Sequence, residues 1–367
     1  MIEIGCLKPS GKDPILKFLL NHGQRRVYFF ISLTVLFVLL PVIASIFNRD
    51  FINEKLEVDA FHDFGYYIRY LLLLPFFIYF FPYYFNGMEK TIKTLIDRNV
   101  LIISDTDYYH AIQYSNRLFS HWLVTISPYT VSIVSALVSM FSYTLAGYNN
   151  WNSAAELSDI SFIDVLSMLP WFPFFYFLAA IILRIGLTYF VFKRFLSGNV
   201  DIQPLHPDNC GGLSPLGNFS IRISSAGIGI GIPIVLLLIF DVTTENLSYF
   251  SATVIMHIIV YSGSLIVLFF LPLLGARGSM LKAKNNELRT INERYQTERK
   301  KMLSSMNSAE VSVNLNVTNL EGLMKLYGFA KSMPVYPFNA VNVIRFLGSI
   351  LWPVLLMLLQ VLVQGLS

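Results

Sequence analysis

Seven long apolar stretches, at 27–47, 66–85, 122–145, 165–192, 221–240, 250–274 and 346–363, dominate this chain and leave it little choice but to cross a bilayer. A helix needs roughly 20 apolar residues to span about 30 Å of hydrocarbon, and each stretch approaches or exceeds that. Only 14% of the 367 residues are charged while 54% are hydrophobic, too little polar surface to cover a soluble fold of this size. The expected fold class is an all-α integral membrane protein of about seven transmembrane helices.

Charge in the connections orients the bundle, because Lys and Arg resist translocation. Segments 1–26, 86–121, 193–222 and 275–339 hold 5, 4, 3 and 10 Lys and Arg, 22 in all, whereas 48–65, 146–164 and 241–249 hold 2, 0 and 0. The alternation holds at every crossing. It predicts a cytoplasmic segment over 1–26, a six-helix region over 27–274 with cytoplasmic loops 86–121 and 193–222, a cytoplasmic helical hairpin over 275–339, and a seventh span with an external end over 340–367. The first apolar run is too long for a cleavable leader and is expected to remain as an anchor. Cys6 and Cys210 fall on the cytoplasmic side, where a structural disulfide is not expected.

Within 86–121, Ser104 precedes Asp105 and Asp107 and a run with Tyr108, Tyr109, Ile112 and Leu118, the pattern of a capped amphipathic helix leading into the third span. More distinctive is the loop 204–217, Pro-Leu-His-Pro-Asp-Asn-Cys-Gly-Gly-Leu-Ser-Pro-Leu-Gly, whose three prolines and three glycines specify a compact irregular shape. His206, Pro207, Asp208, Cys210, Gly211 and Gly212 make it the first functional-loop candidate. Three alternating ligand types without a second cluster are a poor zinc site, and no metal or other cofactor is expected. His206 and Asp208 are weak candidates for a catalytic pair. The competing reading has them hydrogen-bonding loop backbone and holding the loop to the bundle.

The pattern His-Pro-Asp-x-x-Gly-Gly-Leu-x-x-Leu-Gly resembles a loop found in uncharacterised bacterial polytopic membrane proteins. The stretch 333–339, Met-Pro-Val-Tyr-Pro-Phe-Asn, followed by Arg345-Phe and a proline-containing last span, is similar to the ending of the same group, with Tyr336 where those proteins carry Trp. The two motifs cover about a tenth of the chain. The resemblance implies a bacterial inner (plasma) membrane protein and carries no activity with it.

In 275–339, Leu281, Leu288, Tyr295 and Met302 recur every seven residues with Ile291 between them, but Lys284 and Glu298 occupy the alternate seam positions. A second helix over 320–331 offers Leu323, Met324, Leu326, Tyr327 and Ala330 as an apolar face. Such a hairpin suits self-assembly or a cytoplasmic protein partner at 277–337. Near a bilayer, the basic run at 299–301 suits lipid or solvent, and no nucleic acid is expected.

Arg184 is the one basic residue deep in an apolar run. An unpaired guanidinium there costs roughly 2.5 to 3.5 kcal/mol on insertion scales, and no acidic residue lies in the core of any span. Its expected partners are therefore backbone carbonyls, hydroxyls such as Ser262 or Ser264, or lipid phosphate reached by snorkelling; an anion-favouring pore or substrate contact is the alternative. Gly227, Gly229 and Gly231 ahead of Pro233 set small residues four apart, a pattern for tight helix packing and, less directly, for a hinge.

These features point to a regulated oligomeric channel or pore-forming effector gated from the cytoplasmic side. The alternatives are a membrane signalling or scaffold protein that recruits a cytoplasmic partner, and a membrane-embedded hydrolase using His206 and Asp208.

Overall fold

The computed structural model describes residues 7–21, 24–48, 51–52, 59–145, 162–196, 200, 206, 208, 210–240, 247–305, 310–333, 335–337 and 340–366. Thirteen α-helices run through them: α1 (Pro14–Asn21), α2 (Gln24–Asn48), α3 (Phe64–Tyr67), α4 (Leu74–Asp97), α5 (Asp105–Phe119), α6 (Trp122–Leu145), α7 (Phe162–Ser167), α8 (Trp171–Leu196), α9 (Ser214–Ala226), α10 (Ile228–Phe240), α11 (Leu247–Ser305), α12 (Glu310–Ser332) and α13 (Ala340–Leu366). A π-helical turn, Ile68–Leu73, joins α3 to α4, with the Leu74 N–H reaching back five residues to the Arg69 carbonyl. The widened turn lies just ahead of Pro75, which brings no N–H of its own to the ladder.

Among the described residues, five helical segments are long and apolar enough to cross a membrane: Arg25–Phe47, Phe64–Asp97, Asp105–Val138, Phe162–Leu196 and Tyr261–Ser304. Their outward faces stay apolar, as at Phe29, Leu36, Ile43, Ile133, Val134, Ile182 and Val267. Apolar side chains left uncovered along whole helices suit a hydrocarbon solvent and no other. The chain is thus a helical membrane protein. The inward faces form an aromatic-rich core that includes Phe77, Phe81, Phe85, Phe177, Phe192 and Phe269.

The stretch 221–240, expected as one continuous fifth span, is interrupted at Gly227: residues 221–226 end α9, which begins at Ser214, and α10 fills the rest from Ile228. Each is about 20 Å long at 1.5 Å per residue, short of the hydrocarbon thickness. The glycines there are contact points. A Cβ on Gly227 would stand 2.0 Å from Leu265 Cδ2 of α11, and one on Gly229 would stand 2.6 Å from Phe76 Cε2 of α4. Helix α13, Ala340–Leu366, covers the last expected span, 346–363, within 27 continuous helical residues.

Helix α11 is continuous for 59 residues, through the expected sixth span and on to Ser305. Helix α12 packs antiparallel against its second half, and Lys284 Nζ donates to the carbonyls of Lys331 and Met333 at 2.7 and 2.8 Å. Lys284 therefore sits in the seam because a cation is favourable at the carbonyl end of α12. Of the heptad residues, Ile291 is buried in this seam while Leu281 remains exposed.

The close approach at Gly227 is testable. Gly227→Val should destabilise the detergent-solubilised protein by about 1 to 3 kcal/mol, the usual cost of overpacking. Gly186→Val, at a glycine with nothing within 4 Å of its would-be Cβ, should leave the melting temperature nearly unchanged.

Candidate functional site

The distinctive loop is built around one carboxylate. Asp208 Oδ1 accepts from the backbone N–H of Cys210 at 2.8 Å and of Gly212 at 3.0 Å, and its Oδ2 accepts from the N–H of Ser214 at 3.1 Å. His206 Nδ1 lies 2.8 Å from Oδ1. Ser214 opens α9, and Leu213, the residue at the cap position, supplies no side-chain hydrogen bond. Asp208 thus caps the helix from six residues away, placing a negative charge where the orphan N–H groups and the helix dipole favour it.

Gly211 and Gly212 make this wrap possible, with φ of +64° and +91°. At Gly212 a Cβ would also come within 2.6 Å of Val100 Cγ2, so the loop is pressed onto the chain just beyond α4. An antiparallel bridge between Leu101 and Val200 pins the neighbouring length of chain to the same place.

Burial pushes the Asp208 carboxyl up, but the three backbone N–H groups and His206 outweigh it and hold the acid down at about 2. Cys210 is buried, and burial together with the Asp208 charge pushes its thiol up to about 11. The thiol is therefore a poor nucleophile and a poor metal ligand at neutral pH. Among the described residues no group of three His, Cys, Asp or Glu side chains could hold a metal ion.

A second constellation lies inside the bundle. The Arg184 side chain is fully buried, and so is that of Asp13. Arg184 Nη2 donates to Asp13 Oδ2 at 3.4 Å, and Nε donates to the Pro9 carbonyl at 3.1 Å. The other carboxylate oxygen of Asp13 accepts from Tyr176 at 2.7 Å and from Tyr129 at 3.1 Å. It also accepts from the N–H groups of Ile15 at 3.1 Å and Leu16 at 3.3 Å, which makes Asp13 the cap of α1.

Arg184 therefore does not snorkel; of the partners expected from the sequence a backbone carbonyl is present, that of Pro9, and the hydroxyls that face the group belong to Tyr176 and Tyr129 on Asp13 rather than to Ser262 or Ser264. Its counter-charge comes from the segment ahead of the first span. That segment, expected only as a cytoplasmic lead-in, packs into the bundle with Leu7, Leu16 and Leu19 buried. The Lys8 N–H donates to Asn116 Oδ1 at 2.7 Å. Gly11, at φ +57°, lets the chain lie flat on the end of α5, where a Cβ would overlap the Phe119 carbonyl oxygen at 2.2 Å. One donor is left over: Arg184 Nη1 is buried with no hydrogen-bond partner among the described residues.

The two constellations are separate. The His206–Asp208 loop sits where α4 ends and α9 begins, whereas Arg184 and Tyr176 belong to the middle and first half of α8. Gly227, Gly229 and Pro233 line neither. Sequence reasoning named Arg184 and Asp208 but missed Asp13, Tyr129 and Tyr176. The Asp13-Pro14 step ahead of an apolar run is a helix-start signal in its own right. Comparison with family models, curated proteins and solved structures finds no match.

Asp208→Asn should weaken the cap of α9 by about 1 to 2 kcal/mol, read as a lower melting temperature. In the unaltered chain the carboxylate titrates lower when folded than when unfolded. Its stabilisation should be complete above about pH 4, the ordinary Asp range, and be lost as pH falls toward about 2. The Asp208→Asn variant should lack that component of the acid transition.

Proposed function

We propose that the chain is a multi-pass protein of a bacterial inner membrane that forms a regulated permeability element, closed in the conformation described here by the segment 7–21. The observation that carries this reading is the buried Asp13–Arg184 pair. A buried ion pair adds little net stability compared with an apolar replacement, yet breaking one costs about 3 to 5 kcal/mol. Such a pair suits a switch better than a brace. When the segment leaves, a guanidinium with an already unpartnered N–H faces the interior of the bundle, where it favours anions in a water-filled path.

The same reading takes the Lys and Arg alternation as its guide to sidedness, so segment 7–21, the Asp208 loop and the α11–α12 pair share the cytoplasmic side. Signals arriving there reach the clasp through α5, whose residues Asn116 and Phe119 contact the segment. Several copies of the chain would complete the path.

Membrane potential in bacterial cells, followed with a voltage-sensitive dye, tests this. Asp13→Asn should depolarise cells several-fold more than the unaltered protein at equal expression. A Lys8→Cys/Asn116→Cys pair added to that variant should restore the potential once a membrane-permeant bifunctional maleimide ties the segment down, and should not without it, since the reducing cytoplasm keeps the thiols apart. Tyr176→Phe, which loses one hydrogen bond of about 1 kcal/mol and keeps the pair, should fall between. If the Asp13→Asn variant elutes as a folded species and the potential stays where it was, the permeability reading is wrong.

One observation favours a second reading, that of a scaffold recruiting a cytoplasmic protein. Leu303, Met324, Leu326 and Phe329 of the α11–α12 pair are exposed by 58, 62, 48 and 56%, more apolar surface than a solvated helix pair needs. Met324→Glu/Phe329→Glu should then abolish co-purification of a partner from the native host with membrane potential unaffected throughout.

A further inference from the structure

Helix α4 and helix α9 enclose a cleft of about 140 Å³ whose lining includes Gly87, Lys90, Thr94, Asn218, Phe219 and Arg222. The volume suits a single phosphate and falls well short of the roughly 300 Å³ at which pockets for larger organic ligands begin. Two cations face it, and no carboxylate lines it. The neighbouring acid on α4, Glu89, is held by Lys93 at 2.8 Å, whereas neither Lys90 nor Arg222 is in an ion pair among the described residues.

The cleft is built rather than incidental. The Arg222 guanidinium lies over the Tyr83 ring, 4.9 Å from its centroid, which holds a planar fork in place for phosphate oxygens. Gly87 leaves the space for it: a Cβ there would meet Phe219 Cε2 at 3.1 Å and Arg222 Nη2 at 3.6 Å. The Thr94 hydroxyl donates to the Lys90 carbonyl at 2.8 Å, so the donors left to a ligand are the ammonium of Lys90, the guanidinium of Arg222 and the amide of Asn218.

Position identifies the source of the phosphate. The helical run Phe64–Asp97 has 34 residues, about 51 Å at 1.5 Å per residue, against a hydrocarbon core of about 30 Å. Gly87 lies about 35 Å along it from Phe64, where the hydrocarbon gives way to headgroups. Just inward of the cleft, Tyr79 and Tyr83 stack with centroids 6.0 Å apart, and Tyr79 is 44% exposed, an aromatic flank of the kind found at the interface.

We propose that the α4–α9 cleft binds the phosphate of an anionic phospholipid, gripped by Lys90 and Arg222, with the acyl chains lying along the Tyr79–Tyr83 face. This site does not depend on the permeability reading. Because α9 is the helix that Asp208 caps, a lipid bound here ties α9 to α4 at the membrane surface.

Native mass spectrometry of the full chain in detergent, with phosphatidylglycerol or phosphatidylcholine added, tests the proposal. Phosphatidylglycerol should be retained at least tenfold more than phosphatidylcholine. Lys90→Gln/Arg222→Gln should cut that retention by tenfold or more, and Lys90→Gln alone, at an exposed position that cannot upset the fold, should cut it several-fold. Arg294→Gln/Lys325→Gln, which removes the same charge at exposed positions of the α11–α12 pair far from the cleft and outside the basic run at 299–301, should change nothing. Equal retention of both lipids, or equal losses in the cleft and distant variants, overturns the proposal. Complete displacement of phosphatidylglycerol by inorganic phosphate at equal concentration would assign the cleft to a free anion and overturn the lipid assignment.

Discussion

The need to neutralise one guanidinium inside an apolar bundle organises much of this molecule. Arg184 is 171 residues from Asp13 in sequence, and the two meet only because the segment ahead of α2 folds into the helices. Once there, Asp13 draws together α1, α6 and α8 through Leu16, Tyr129 and Tyr176. A low-dielectric site makes each of these bonds stronger and each missing one more costly. The same physics makes the carboxylate hard to replace, since without it Arg184 would keep the Pro9 carbonyl as its hydrogen-bond acceptor and no counter-charge.

A second carboxylate does comparable work in the loop ahead of α9. Asp208 closes the loop, caps α9 and, through the glycines beside it, presses the chain against Val100. Helix α9 then runs to Gly227, where it meets α11 too closely for any side chain. Between these two ends lies the basic cleft with α4. Cap, cleft and close approach are consecutive features of a single short helix, so movement of α9 alters all three together. Farther along the same α11 that meets Gly227 at Leu265, Lys284 holds the end of α12.

Not every rule of packing is obeyed. Ser220 Oγ, like Arg184 Nη1, is buried with no partner among the described residues. Natural proteins retain such groups where function needs them, and in both cases the residue faces inward from a helix next to a proposed working part. The seam between α11 and α12 shows the opposite case. Lys284, which looks misplaced in a heptad, is satisfied by two carbonyls at the end of α12.

Local signals were legible in the sequence because they depend on neighbours. Apolar run length marked all five membrane-long helices, and Ser104 caps α5 as its spacing with Asp107 implied. The turn chemistry of 206–213 also announced a specified loop, since prolines and paired glycines restrict the backbone whatever surrounds them. At 221–240 run length alone promised one helix, whereas the helix is interrupted at Gly227, where Leu265 of α11 comes too close for a side chain. What only the tertiary structure decided was partnership: Asp13 for Arg184, Arg222 beside Lys90, α12 for the polar half of α11. Hydropathy and periodicity register the cost of a buried charge, but the group that offsets it can come from anywhere in the chain. Here it came from a short polar segment that the chain only brings to Arg184 by folding.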